Sequence, residues 1–226
     1  MENIIENNEV KNAAENGALK EASAKTAVQK QPVSKTRTMV QIAMLGAVAA
    51  VLMFLEFPAP FLAPPFYKID FSELPVLIGG FAMGPVAGVV IEAIKIALHL
   101  LFKGTQTAFV GELGNFIMGC ALVVPAALIY KFHKTRRMAL VSLIIGVIVT
   151  SVVSVFVNAY MLLPAYGAAF HLPMEVIIGM GQAIHPSINS VMGFCLLTVL
   201  PFNLFKGVLS LVVTMLVYKH IRKILK

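Results

Sequence analysis

The stretch SELPVLIGGFAMGPVAGVVIEAIKIALHLLF, Ser72 to Phe102, sets the architecture. Without a break it is one long apolar helix; with a break at Gly84-Pro85 it is two. Proline disfavours helical backbone at the residue before it. Charge on the flanking segments separates the two readings. One span gives five crossings and puts Lys131-Phe132-His133-Lys134-Thr135-Arg136-Arg137 on the opposite side from the N-terminus. Two spans give six, and then the leader, that basic loop and the tail Lys219-His220-Ile221-Arg222-Lys223 share one side. Basic residues collect on the cytoplasmic side of membrane helices, so the six-helix reading is preferred. Its second helix is short, roughly 73–83, and must lean on its neighbours.

Composition agrees with a membrane bundle. The chain is 58% hydrophobic and 13% charged, with a mean hydropathy of +0.85. Several apolar runs reach the length of about 20 residues that a helical span needs. The short alternating segments of an outer-membrane barrel are missing. The net charge of +7 is concentrated beside the spans and does not suggest nucleic acid. Cys120 and Cys195 stand alone in apolar surroundings, which suits packing rather than metal binding or redox chemistry.

The expected fold is therefore all-α: six transmembrane helices with both termini cytoplasmic. Residues 1–36 form a polar leader that cannot bury a core and is expected to be disordered. Residues 37–226 form the membrane domain. Its other spans are placed at roughly 39–56, 107–131, 138–163 and 202–222. A Pro-rich external loop, 57–71, is expected to be extended, stiff and packed against the bundle. The segment 164–200 carries Pro164, Pro173 and Pro186 and reads as a long structured external loop with short helices.

Polar residues in an apolar chain are functional candidates. Lys206 stands near the head of the last span, with Asn203 on the same helical face. Glu92, Lys95 and His99 share a face of the third span. Glu92 and Lys95 serve equally well as a structural ion pair, and His99 as a satisfied interfacial histidine. Glu112 and Asn115 share a face of the fourth span. Asp70-Phe71-Ser72-Glu73 reads as a helix cap. In the first span, Ala43/Ala47 and Gly46/Ala50 have small-xxx-small spacing, which permits close helix approach within this chain or with another. No phosphate-binding glycine loop, zinc-protease helix motif or nucleophile elbow is present, and the five histidines do not cluster. Nothing assembles a catalytic site, so an enzyme is not expected.

Five motifs, in order, carry a resemblance: Lys68-Ile69-Asp70-Phe71-Ser72-Glu73-Leu74-Pro75, Ile78-Gly79-Gly80-Phe81-Ala82-Met83-Gly84-Pro85, Glu92-Ala93-Ile94-Lys95, Gly111-Glu112-Leu113-Gly114-Asn115-Phe116 and Pro201-Phe202-Asn203-Leu204-Phe205-Lys206-Gly207. Over about 38–226 the chain resembles the riboflavin-specific S components of energy-coupling factor (ECF) transporters. The resemblance implies a bacterial plasma-membrane subunit that binds riboflavin from outside. It also implies docking onto a transmembrane T component and two cytoplasmic ATPases. Riboflavin would be the transported ligand, with no resident cofactor or metal. The implied ligand set is Asn158, Asn203, Lys206, Phe66, Tyr67, Lys68, Glu92 and Lys95; the implied docking positions are Ala43 and Ala47. The chemistry suits this ligand: an apolar slot takes the flat isoalloxazine, an amide such as Asn158 meets its imide-like edge, and Asn203 with Lys206 meets the ribityl polyol. Three alternatives stay open. These are an S component for another vitamin, an autonomous ion-coupled carrier using Glu92, Lys95 and Glu112, and a structural protein in which Asn203 and Lys206 are interhelical glue.

Overall fold

In a computed structural model, residues 35–105 and 107–221 are described, the side chains from 218 onward excepted. The expected disordered leader over 1–36 lies outside these residues apart from Lys35 and Thr36, as do the side chains of the basic tail. The chain divides into Met1–Arg37, of which only Lys35 to Arg37 are described, and the compact unit Thr38–Lys226, which holds the membrane domain.

The elements are α1 (Lys35–Phe54), β1 (Phe57–Pro58), β2 (Lys68–Ile69), α2 (Glu73–Met83), α3 (Pro85–Lys103), α4 (Val110–Phe132) and α5 (Arg136–Val157). A π segment (Asn158–Leu162) then leads into α6 (Leu163–Phe170), followed by α7 (Met174–Gln182) and α8 (Val191–Phe194). A second π segment (Cys195–Val199) leads into α9 (Leu200–Ile221). Gly84 separates α2 from α3 with φ 101°, a conformation natural to glycine, and Pro85 occupies the first turn of α3, where its missing N–H costs nothing. The stretch Ser72 to Phe102 thus forms two helices. Among the described residues, five helical segments are long and apolar enough to cross a membrane: 35–54, 85–103, 110–132, 136–170 and 191–217. Glu73–Met83 is a shorter apolar helix.

The expected boundaries 138–163 and 202–222, with a long external loop over 164–200, need correction. Helix continues through both Pro164 and Pro201, which in the sequence read as breaks. A proline inside a helix loses one donor and clashes with the carbonyl four residues back. Here each proline lies two residues past a π segment, in the first turn of the α-helix that follows. Leu163 N–H bonds Asn158 O, and Leu200 N–H bonds Cys195 O. The extra residue in each turn shifts the hydrogen-bond register and carries the helix past the ring. The last helical segment therefore starts at Val191. Lys206 lies fifteen residues beyond that start, about 22 Å along the axis at 1.5 Å per residue. It is not at the helix head.

The Pro-rich loop is extended only at its ends. Phe57 pairs with Ile69 and Pro58 with Lys68 in a short antiparallel ribbon. Between them the chain turns, with Ala63 N–H on Ala59 O and Tyr67 N–H on Pro64 O. Ala59, Ala63 and Ile69 are buried against Phe202 of α9. The loop thus packs on the bundle, and its apolar residues anchor it there by losing water-exposed area. A larger core of Val76, Leu77, Phe81, Ile91, Val123, Tyr130 and Leu143 joins α2, α3, α4 and α5.

Candidate functional site

A cavity of about 550 Å³ opens between the Pro-rich loop, α3, α4, the α5–α6 helix and α9. Its walls are mostly apolar, from Met53, Met118, Leu122, Leu162 and Phe202, with polar groups at a few points. That is the usual build of a small-molecule site. Gly207 keeps one wall thin: a Cβ there would lie 2.6 Å from Val147.

Asn158 is the first residue of the first π segment and is buried. Its Oδ1 accepts the Tyr67 hydroxyl at 2.6 Å, and its Nδ2 donates to Ser154 O at 2.8 Å. Both ends of the amide are thus engaged. Tyr67 belongs to an aromatic wall: its ring lies 4.8 Å from Phe66 and 5.3 Å from Phe202, and Phe66 lies 5.4 Å from Tyr166. Burial pushes the Tyr67 hydroxyl well above its ordinary 10.0, so it stays a donor.

Asn203 and Lys206 line the same cavity from α9. Asn203 Nδ2 donates to Val199 O at 2.9 Å. Its carbonyl oxygen and its second amide N–H are therefore left to meet a ligand. Lys206 Nζ reaches Asp70 Oδ2 at 2.9 Å. The other oxygen of Asp70 accepts the Ser72 backbone N–H at 2.8 Å and the Ser72 hydroxyl. Asp70 therefore braces the entry to α2, as its sequence position suggests, and also holds Lys206. Burial alone would raise the Asp70 carboxyl. The charges of Lys206 and Lys95, with the Ser72 hydrogen bond, bring it down to about 2.

Glu92 and Lys95, implied as ligand contacts, sit behind the cavity wall. Both are completely buried. Lys95 Nζ bonds Glu73 Oε1 at 2.9 Å and approaches Glu92 Oε1 at 2.6 Å as an ion pair outside hydrogen-bond geometry. Of the three, Glu73 lines the cavity. The structural ion-pair reading fits this placement. Lys68 does line the cavity, at a second polar cluster. Glu56 Oε1 takes Lys68 at 2.6 Å and also takes Lys103. Burial works to raise the Glu56 carboxyl, but hydrogen bonds from Lys103 and Lys68 leave it lowered. His99 and Glu112 line the same region; Glu112 Oε2 accepts Thr107 Oγ1 at 2.8 Å. The satisfied-histidine reading does not hold within the protein. His99 is buried and stacked 5.4 Å from Phe54, and among the described residues neither ring nitrogen has a hydrogen-bond partner.

The two small-residue stripes of α1 face different ways. Gly46 and Ala50 are buried, and a Cβ on Gly46 would touch Ile94 of α3 at 2.5 Å. Ala43 and Ala47 are exposed, beside exposed Val40, Met44 and Val51.

Sequence reasoning did not place Glu56, Lys103 or Tyr166 at the site. Glu56 had a signal: a carboxylate at the end of a span, followed by Phe57-Pro58, needs a cation nearby. Tyr166 had none, because it sits in a stretch that reads as loop. Among the described residues, no group of three or more His, Cys, Asp or Glu side chains could hold a metal.

Comparison with known proteins bears on this geometry. The family model described as "ECF transporter, substrate-specific component" matches residues 37–218. The riboflavin transporter RibU of Staphylococcus aureus is 34% identical over 203 residues, covering 88% of this chain and 97% of that protein. The riboflavin transporter FmnP of Bacillus subtilis is 34% identical over 185 residues, covering 81% and 91%. A solved structure, described as the S component of a bacterial ECF transporter, superposes with a TM-score of 0.66 at 34% identity, over 85% of this chain and 99% of that one.

Proposed function

Because the chain belongs to the substrate-specific components of ECF transporters, we propose that it captures riboflavin in the cavity beneath the Pro-rich loop. One observation carries the reading. Asn158, Asn203 and Lys206 converge on one largely apolar cavity, in a chain whose relatives are named riboflavin transporters. The flat ring system lies among Phe66, Tyr166, Leu162 and Met118, and Asn158 meets its imide-like edge. To do so Asn158 gives up its bond from Tyr67, which makes Tyr67 a placeholder for the ligand. Asn203 Oδ1 accepts from the ribityl hydroxyls and Lys206 donates to them.

The membrane arrangement is six crossings with both termini cytoplasmic, α2 being the short one, in the bacterial cell membrane. Energy comes from outside the chain, through a T component and two ATPases that dock against the exposed Ala43/Ala47 stripe.

Quenching of flavin fluorescence tests the site. Purified protein should bind riboflavin, and Asn203→Ala and Lys206→Ala should each weaken binding by about 5- to 150-fold, the loss expected for one buried polar contact of about 1–3 kcal/mol. Unchanged affinity in both variants contradicts the assignment. Riboflavin uptake that persists in cells lacking the T and ATPase subunits would favour an autonomous carrier instead.

A further inference from the structure

Two asparagines stand at one level of the cavity, on neighbouring helices, and differ in what they already hold. Helix α4 packs against the α5–α6 helix at two marked points. Gly114 lies against Leu162, where a Cβ would come within 2.9 Å of that side chain, and Thr150 Oγ1 comes within 3.5 Å of Met118 O. Asn115 falls between these contacts on one helix and Asn158 falls between them on the other; both line the cavity. Asn158 is buried and engaged at both ends, by the Tyr67 hydroxyl and by Ser154 O. Asn115 is half-buried, and its amide makes no hydrogen bond among the described residues. Glu112, one turn before it on the same face, is already taken up by Thr105 and Thr107.

Asn115 therefore offers two N–H donors and a carbonyl acceptor to whatever fills the cavity. The imide-like edge of an isoalloxazine carries one N–H between two carbonyl groups, so it reads acceptor, donor, acceptor. Asn158 Oδ1, once released by Tyr67, suits the central N–H. It cannot serve the flanking carbonyls, which need donors. A ring carbonyl buried without a donor loses the hydrogen bond it had in water, and that loss weakens binding.

We propose that Asn115 is a specificity-determining residue of the cavity: its Nδ2 donates to a ring carbonyl beside the N–H that Asn158 accepts, so that two amides on adjacent helices read the edge together. This inference rests on the riboflavin reading above and adds to it a residue of α4. Asn158 must exchange a partner to bind the ring, whereas Asn115 gives up none.

Two variants of the full-length protein in detergent test it: Asn115→Leu, and Asn115→Asp, which keeps the shape of the side chain but not its donors. Without ligand, the melting temperature of Asn115→Leu should not fall, because the side chain has no partner within the protein to lose. Riboflavin affinity should drop by about 5- to 150-fold in both variants. At saturating riboflavin, infrared difference spectra should show a ring carbonyl stretch at higher frequency in Asn115→Leu than in wild type, the sign of a lost donor. Wild-type protein that does not bind riboflavin overturns the riboflavin reading and this one with it. Where wild type binds, an affinity within about 2-fold of it in either variant, or ring carbonyl stretches that do not move, overturns the role of Asn115 alone.

Discussion

Lys206 Nζ and Asp70 Oδ2 meet at 2.9 Å although 136 residues separate them in sequence. The contact joins the end of the Pro-rich loop to the middle of the last helix, at the edge of the cavity. It lets the cavity keep a lysine deep in an apolar bundle, where an unpaired ammonium would be costly. The two residues should therefore be coupled. Asp70→Asn and Lys206→Met should each lower thermal stability, and the double variant should fall short of the sum by about 0.5–3 kcal/mol. A double-mutant cycle on purified protein measures this; strictly additive losses would show that the pair contributes no interaction.

The same pair sets a pH dependence. The folded-state Asp70 carboxyl lies at about 2, below its ordinary 3.8. A depressed carboxyl adds stability that is fully present above the ordinary value and is lost as pH falls through the folded value. Stability should therefore decline between roughly pH 4 and pH 2, and this part of the decline should be absent in Asp70→Asn. Melting temperatures of the two proteins across that range provide the check, and parallel curves would count against it.

Tyr67 and Asn158 should behave oppositely. Tyr67→Phe frees Asn158 Oδ1 without removing the aromatic wall, so riboflavin affinity should hold or rise by up to about 5-fold, the worth of a neutral hydrogen bond of about 1 kcal/mol. Asn158→Ala removes the group that meets the ring edge and should weaken binding by about 5- to 150-fold. Titration with riboflavin separates the two; a Tyr67→Phe loss as large as that of Asn158→Ala would mean that the hydroxyl itself contacts the ligand.

The short second helix could be read in the sequence because the break at Gly84-Pro85 acts locally. Ala59, Ala63 and Ile69 packing under Phe202 was foreseeable for a similar reason: an apolar loop must bury its side chains somewhere. The course of the chain through Pro164 and Pro201 was not legible. A proline reads as a break, and only the backbone shows the π turn that relieves it. That one feature moved the start of the last helical segment to Val191 and took Lys206 away from the helix head. Glu92 and Lys95 illustrate a second limit. Helical spacing put them on one face, but whether that face meets the cavity or α2 depends on how the helices pack.

The exposed stripe on α1 can be tested apart from the pocket. Ala43→Trp and Ala47→Trp add bulk on an exposed face of the helix, so folding and riboflavin binding should stay within about 2-fold of wild type, as for surface changes of about ±0.5 kcal/mol. Uptake into cells should be lost, because a large side chain blocks close helix approach. Normal uptake by Ala47→Trp would place the docking surface elsewhere.

Riboflavin capture itself is tested by the ligand that accompanies the protein on purification. Full-length protein expressed in riboflavin-replete cells and purified in mild detergent should be yellow, show flavin absorbance and release riboflavin on denaturation in near-stoichiometric amount, and Lys206→Ala should carry much less. A well-folded, colourless protein that neither carries nor binds added riboflavin would contradict it.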